Sequence, residues 1–210
     1  MGRYARGWNT TIVVASGPSL TDEQIHIARV AQAAGLCHAI VVNDNYRKWP
    51  NADVLYACDE PWWKENIAFV RPAFDGQLWT QSIRAARAYS LNFIPSVRQP
   101  GLTRDGGKIY VGGPSGAQAI NLAYLFGSRR MILLGFDCKR AARSTEYPNG
   151  KLHWFGSHPK KLSQGEPRDW IPAFREIHRD AKERGVKILN ASPDSALTFL
   201  EQVDLAEALQ

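Results

Sequence analysis

Five short apolar segments, each bounded by turn residues, most constrain the fold of this chain. They lie at residues 10–15, 37–42, 51–58, 130–135 and 186–190. Each is too short for a typical helix, and residues 10–15 are also rich in β-branched residues, a pattern typical of strands buried on both faces. Helical patterns separate most of them, and strands that alternate with helices pair in parallel through right-handed crossovers. The sequence therefore predicts an α/β fold, with a Rossmann-like, mostly parallel sheet flanked by helices.

The chain reads as a single Rossmann-like nucleotide-binding domain over residues 1–210, a length that suits one such unit. Residues 138–168 are rich in Lys, Arg, Gly, Pro and His and show no sustained periodicity. A segment of this kind inside a compact domain is usually functional, which predicts an irregular lid insertion. No stretch reaches the roughly 18–20 apolar residues of a membrane span, and no signal peptide follows Met1, which predicts a cytoplasmic protein without a membrane span.

Helix boundaries follow from capping and stop signals. Thr21 or Ser19 can cap a helix that ends near Ala34, and Ser115 is placed to cap a helix over 115–126. A further helix is predicted over 170–184. Ala191–Leu197 is predicted to turn into a closing helix.

Net charge and cysteine content narrow the class of protein. The charge of +6, from 26 basic and 20 acidic residues, favours anionic partners such as nucleotides, phosphosugars or nucleic acid. No zinc-finger, helix-turn-helix or RNA-recognition signature accompanies it. Cys37, Cys58 and Cys138 are few, distant and odd in number, which favours reduced thiols over disulfides or a zinc cluster.

Two glycine-rich turns resemble phosphate cradles. Gly112–Gln118 leads from an apolar segment into a helix, where unpaired backbone N–H groups and the helix dipole favour an anion. Gly116 would let a ligand approach the backbone closely. A second turn, Ser16–Leu20, also joins a strand to a helix. An ordinary strand-to-helix turn that binds nothing is the alternative for either one alone.

Polar residues follow five of the predicted strands. A parallel sheet would bring them to one edge, where open α/β sheets bind ligands, although Asn and Asp also favour simple turns. Neither a Walker lysine motif nor Gly-x-Gly-x-x-Gly occurs, which disfavours P-loop chemistry and hydride-transfer cofactors. The pattern instead suits a nucleotide. The residues at this edge are Ser16, Ser19, Asn43, Asp44, Asp59, Ser115 and Asp137.

His153 and His158 lie five residues apart in the predicted lid. Because an unperturbed histidine titrates near pH ~6.5, either could act as a general base or acid. They lack a carboxylate or cysteine partner at a familiar metal-ligand spacing, so no metal site is predicted. The alternative is that each is an ordinary hydrogen-bonding residue.

Taken together, these motifs resemble the bacterial lipooligosaccharide sialyltransferases. They also resemble the broader MptE-like superfamily, which includes archaeal 6-hydroxymethylpterin pyrophosphokinases, flagellin-glycosylation accessory proteins and phage-borne proteins, the last being closest in size. The usual Gly-Asn-Gly-Pro-Ser turn is Ala15–Ser19 here, without its asparagine. The motifs occur in order as Gly17–Leu20, a strand ending in Asn43, Ser115-Gly116, Gly135–Asp137, the segment with His153 and His158, and Asn190–Ser195.

The resemblance implies a metal-independent glycosyltransferase that uses a nucleotide-activated sugar, possibly CMP-linked, with a lid histidine, His158 or His153, as general base. It implies that no cofactor beyond the donor is required, and the basic excess makes an anionic acceptor plausible. The implied nucleotide contacts are Gly17, Ser19, Asn43, Ser115 and Gly116, with Asp59 and Asp137 as further candidates at the same edge.

Two alternatives remain open from the sequence. An MptE-like pyrophosphokinase would move diphosphate from ATP to a pterin alcohol and would need Mg²⁺, with Asp59 and Asp137 as the carboxylate pair. A non-catalytic nucleotide-binding protein would use the histidines only to pack the lid. Metal dependence distinguishes the two enzymes from each other. Measurable turnover distinguishes either enzyme from a non-catalytic binding protein.

Overall fold

The computed structural model describes residue 4 and residues 6–146, 149–156 and 165–210. Its main sheet has eight strands, and every neighbouring pair is parallel. This confirms the predicted α/β architecture. The strands of this sheet are β1 (Thr10–Val14), β2 (His38–Val42), β3 (Val54–Tyr56), β4 (Gln77–Thr80), β5 (Asn92–Phe93), β8 (Arg130–Leu134), β9 (Lys187–Asn190) and β10 (Glu201–Gln202), while β6 (Ser96–Val97) and β7 (Ile109–Tyr110) pair separately.

The order across the main sheet is β10-β9-β8-β1-β2-β3-β4-β5. The strands that follow β1 are added on one side of it, and β8 and the strands that follow it lie on the other side, so the strand order reverses between β1 and β8. In open α/β sheets the crevice at the carboxyl end of such a reversal is the usual ligand site. The topology therefore directs attention to the turns that follow β1 and β8.

Six α-helices are described, and they cover the two faces of the sheet. Helices α1, α2, α3 and α6 contribute to one hydrophobic core, and α4 and α5 contribute to the other. Thr21 caps α1 with a complete capping box, as predicted for one of the two candidate caps. Their bounds are α1 Asp22–Ala33, α2 Glu60–Ala73, α3 Ile83–Tyr89, α4 Ser115–Leu125, α5 Pro167–Glu183 and α6 Leu205–Ala208.

The strand before the Gly112–Gln118 turn lies outside the main sheet. β7 pairs only with β6, so the expectation that five neighbouring strand ends form the edge is wrong for Ser115. Ser115 nevertheless reaches this edge because α4 packs against β1 and β2. The helix, rather than a strand, brings it there.

Three further boundaries differ from prediction. Pro114 is the N-cap of α4, and Ser115 is already helical, so Ser115 does not cap the helix. Helix α5 begins at Pro167, which is tolerated in a first turn because its missing N–H would be unpaired there. Residues 191–197 form a turn without a helix, and the chain instead continues into β10 and the short α6.

The predicted lid is irregular where the structure describes it. Residues 138–146, 149–156 and 165–166 contain one isolated bridge, between His153 and Gly156, and no helix or longer strand. Ala141 N–H donates to the Lys151 carbonyl at 2.8 Å, which joins the two sides of the segment. Within the described ranges, no helix has the length and apolar character needed to cross a membrane.

Candidate functional site

A cavity of about 710 Å³ opens at the carboxyl edge of the main sheet, between the turns that follow β1 and β8. Its walls come from both glycine-rich turns, the first residues of α2 and α5, and the described part of the lid. Among the predicted site residues, Gly17, Asn43, Asp59, Ser115, Gly116, Asp137 and His153 line it. The strand order and the cavity therefore both place the candidate site at the carboxyl ends of β1 and β8.

The turn after β1 is held by a buried carboxylate. Asp137 accepts hydrogen bonds from the Ser19 backbone N–H at 2.8 Å and from the Ser19 hydroxyl at 2.6 Å. A Cβ at Gly17 would lie 2.2 Å from the Asp137 Oδ1 and 2.5 Å from the Gly135 carbonyl oxygen, so only glycine fits there. Burial raises the pKa of Asp137, and the bonds from Ser19 lower it. Ser19 does not line the cavity, and its bonds to Asp137 fix the turn.

The second turn is also closely packed. A Cβ at Gly112 would lie 2.6 Å from the backbone of Gln99, and one at Gly116 would lie 2.8 Å from the Phe136 ring. The Ser115 hydroxyl lies 3.0 Å from the Cys58 thiol, whose pKa is raised to about 12 mainly by burial. Cys58 therefore stays a neutral thiol.

Asn43 and Asp59 also line the cavity. Asn43 follows β2 with φ of +53°, a left-handed conformation that asparagine tolerates better than most residues. Asp59 is exposed and is the N-cap of α2, although its side chain makes no capping bond. Both side chains are therefore placed beside the cavity rather than in the core.

Three helices begin at the cavity without a side-chain cap. Among the described residues, no side chain caps the first turn of α2, α4 or α5, whereas Thr21, Ser82 and Asp204 cap the helices that begin elsewhere. The first N–H groups of a helix need acceptors. The uncapped ends therefore bring helix N-termini, which favour negative charge, to the edge of the cavity.

The sequence analysis named Asn43 and Asp44 as edge residues and did not predict the role of Asn45, whose buried side chain bonds to several neighbouring segments. The Asn45 amide is fully buried and donates to the Ser16 hydroxyl at 2.9 Å and the Val42 carbonyl at 2.7 Å. Its oxygen accepts from the Trp154 indole at 2.8 Å. The lid is thus fastened to the turn that follows β2. Only the run of three polar residues after a strand signals this in the sequence.

The histidine predictions have different outcomes. His153 lines the cavity, and its ring stacks on Phe155 with centroids 5.1 Å apart. Its backbone exchanges two hydrogen bonds with Gly156, of 3.2 and 2.9 Å, which fix the turn that carries it. His158 lies outside the described residues.

Two cationic side chains of the described residues, Arg98 and Lys139, line the cavity. Arg98 follows β6, is exposed, and forms no ion pair within the described part of the chain. The Gly112 N–H donates to the Gln99 carbonyl at 3.0 Å, which holds Arg98 beside the second glycine-rich turn. Lys139 follows Asp137 and pairs with Asp194. Sequence reasoning missed Arg98 because it lies in a polar loop without periodicity.

Asp59 and Asp137, the carboxylate pair of the magnesium-dependent alternative, both line the cavity. Both oxygens of Asp137 already accept from Ser19. Among the described residues, no group of three or more His, Cys, Asp and Glu side chains is arranged to hold a metal ion. The described lining of the cavity therefore combines carboxylates, Asp59, Asp137 and Asp169, with the cationic side chains of Arg98 and Lys139.

The fold is shared with sialyltransferases of known structure. CstII from Campylobacter jejuni in complex with cytidine-5'-monophosphate matches with a TM-score of 0.57 and 14% identity, covering 94% of this chain and 86% of CstII. Its complex with CMP-3FNeuAc gives 0.56 and 13%, covering 95% and 87%. The monofunctional alpha-2,3-sialyltransferase Cst-I from the same organism gives 0.54 and 10%, covering 94% and 80%.

The likeness lies in structure rather than sequence. No protein-family model and no curated protein sequence matches the chain. At these identities the comparison shows a common fold over almost the whole chain, which confirms the sialyltransferase-like fold expected from the motifs. The likeness to MptE-like and phage-borne proteins stays a prediction.

Proposed function

We propose that this protein is a sialyltransferase-like glycosyltransferase that moves a sugar from a CMP-linked donor to an acceptor hydroxyl. One observation carries the proposal. The cavity lies at the point between β1 and β8 where the strand order reverses, in a fold shared with sialyltransferases that bind CMP. A topological reversal of this kind is the usual nucleotide site of α/β sheets. Fold likeness alone would not carry a function.

The donor contacts in this proposal are Gly17, Asn43, Ser115 and Gly116, with Asp59 toward the ribose or acceptor hydroxyls. The phosphate would lie at the uncapped N-terminus of α4, where backbone N–H groups and the helix dipole favour an anion. Ser19 and Asp137 would act indirectly, because they bond to each other and fix the first turn.

The chemistry in this proposal is a direct displacement at the anomeric carbon. The acceptor oxygen bonds to that carbon as the bond to the phosphate oxygen breaks, and the acceptor proton passes to a lid histidine. His153 is placed for this role because it lines the cavity, and His158 is the second candidate. Arg98 and the N–H groups of α4 would stabilise the charge on the departing CMP.

The chemical step in this proposal uses no metal. The magnesium-dependent alternative would use Asp59 and Asp137 as a carboxylate pair, and both residues line the cavity. The hydrogen bonds from Ser19 leave further lone pairs on the Asp137 oxygens, so they do not prevent metal binding. Metal dependence therefore separates the glycosyltransferase from the pyrophosphokinase by experiment.

The experiment is a calorimetric titration with CMP, UMP, GMP, AMP and ATP, each in EDTA and in Mg²⁺, followed by a search for CMP release from CMP-linked sugars. Selective CMP binding in EDTA and CMP release are the expected results. CMP binding without release from any CMP-linked sugar would indicate a non-catalytic binder. Binding of ATP only with Mg²⁺ would contradict the proposal in favour of the pyrophosphokinase.

A further inference from the structure

A buried hydrogen-bonded chain links β3 to the second glycine-rich turn. The Tyr56 hydroxyl donates to the Gln118 Oε1 at 2.6 Å, and the Gln118 Nε2 donates to the Gly113 carbonyl at 3.1 Å. Tyr56 is fully buried, and Gln118 is 6% exposed. The chain crosses from the sheet to α4 and ends at the cavity.

The direction of these bonds is fixed by chemistry. Burial raises the pKa of the Tyr56 phenol well above its ordinary value, so the group stays protonated and donates. The Gln118 oxygen must then be the acceptor, which leaves its NH₂ group to face Gly113. Without Tyr56, the amide would lose the partner that determines its orientation.

This orientation has a consequence at the turn. The Gly113 carbonyl is occupied by Gln118, and the Pro114 carbonyl accepts from Ala117 and Gln118 N–H groups. The N–H groups of Ser115 and Gly116 have no acceptor among the described residues. The turn is therefore held with the Gly113 and Pro114 carbonyl groups occupied and with two N–H groups available to an anion.

Packing leaves the turn little freedom to adjust by itself. A Cβ at Gly113 would lie 2.7 Å from the Ala173 Cβ of α5 and 3.2 Å from the Ala117 Cβ. The turn is therefore packed closely between α4 and α5 at Gly113. The Gln118 amide is the side chain that bonds directly to this carbonyl.

We propose that Tyr56 and Gln118 are positioning residues that hold the Gly112–Gly116 turn in its anion-binding form and so make the site prefer a phosphorylated nucleoside over a free one. The inference rests on the proposed function and deepens it. Tyr56 acts only through Gln118, because it does not line the cavity, whereas Gln118 lies at its edge.

The test compares wild type, Tyr56→Phe and the control Tyr110→Phe. Tyr110 is also a buried tyrosine, and its hydroxyl accepts from the Arg104 backbone N–H away from the cavity. Affinities for CMP and cytidine are measured by competition. We expect Tyr56→Phe to weaken CMP binding about tenfold and to leave cytidine binding unchanged, since one net hydrogen bond has about this effect.

Hydrogen exchange of residues 112–117 in the ligand-free protein gives a second readout. Tyr56→Phe should raise exchange there, and Tyr110→Phe should not. Equal loss of CMP and cytidine affinity, or unchanged exchange, would overturn the inference and leave the proposed function standing. Failure of the wild type to bind CMP would overturn the proposed function and this inference with it.

Discussion

The indole N–H of Trp154 donates to the Asn45 side-chain oxygen at 2.8 Å, and this bond fastens the lid to the sheet edge. The Trp154 backbone N–H also donates to the Ser16 carbonyl at 2.9 Å. Asn45 also donates to the Ser16 hydroxyl and the Val42 carbonyl, so its amide joins the lid to the ends of two strands. The position of His153 therefore depends on a residue that does not line the cavity.

Replacing Trp154 with Phe should lower the free energy of unfolding by about 1–2 kcal/mol, because the buried Asn45 oxygen loses its donor. Asn45→Asp should cost more, because it places a carboxylate oxygen against the Val14 and Val42 carbonyls. Urea unfolding of both variants measures which substitution lowers the free energy of unfolding more. Equal stability of Trp154→Phe and wild type would show that this bond contributes nothing.

The Asn43–Asn45 run shows what the sequence could and could not predict. Apolar segments and turn residues were enough to predict most strands, the parallel sheet and its functional edge. They could not tell that Asn43 lines the cavity while Asn45 turns into the core, because the backbone geometry of a short 3₁₀ helix decides this. Ser115 shows the same limit, since Pro114 takes the capping position.

Asp137→Asn should change how stability depends on pH. Burial raises the pKa of Asp137 in the folded chain, so the folded state holds this proton more tightly than the unfolded state. As the pH rises from about 4 through the raised pKa, the wild type should therefore lose stability relative to the variant. Melting temperatures of both proteins across this pH range measure the difference.

The asparagine is a fair replacement because it can keep both contacts with Ser19. Its oxygen can accept from the Ser19 N–H, and its NH₂ group can donate to the Ser19 hydroxyl. Asp137→Ala is the contrasting variant, since it removes both bonds. A constant difference between Asp137→Asn and wild type at every pH would refute the assigned role of burial.

Gly17→Ala should destabilise the protein by about 1–3 kcal/mol, because the new Cβ would overlap the Gly135 carbonyl oxygen and Asp137. The matched control is Gly107→Ala, where the nearest atom is the Asp105 side-chain oxygen at 3.3 Å. Thermal unfolding of both variants tests this. Equal melting temperatures would mean that the first turn tolerates a side chain.

His153→Gln should lower kcat by about 10²–10⁴-fold with CMP affinity unchanged, as expected for loss of a general base. The control is His178→Gln, because His178 lies on α5 against Phe199 and does not line the cavity. His158→Gln is measured beside it. A large loss only in His158→Gln would assign the base to that residue.

Arg98→Gln should weaken binding of CMP about tenfold and binding of cytidine much less, because a hydrogen bond from an exposed charged side chain to phosphate contributes about 1.5 kcal/mol. Arg84→Gln, on an exposed face of α3, serves as the control. Added salt should narrow the difference between wild type and Arg98→Gln. Equal weakening of CMP and cytidine would argue against contact with the phosphate.

The central position of β1 also affects the order in which the protein can be made. Ser19 depends on Asp137, which lies 118 residues later in the chain, and β1 has β8 as one of its two neighbours. During synthesis on the ribosome, the edge of β1 that pairs with β8 therefore stays unpaired until β8 has been made. The cavity is completed late in synthesis, and a chain that ends before β8 would instead leave one edge of β1 unpaired and prone to aggregation.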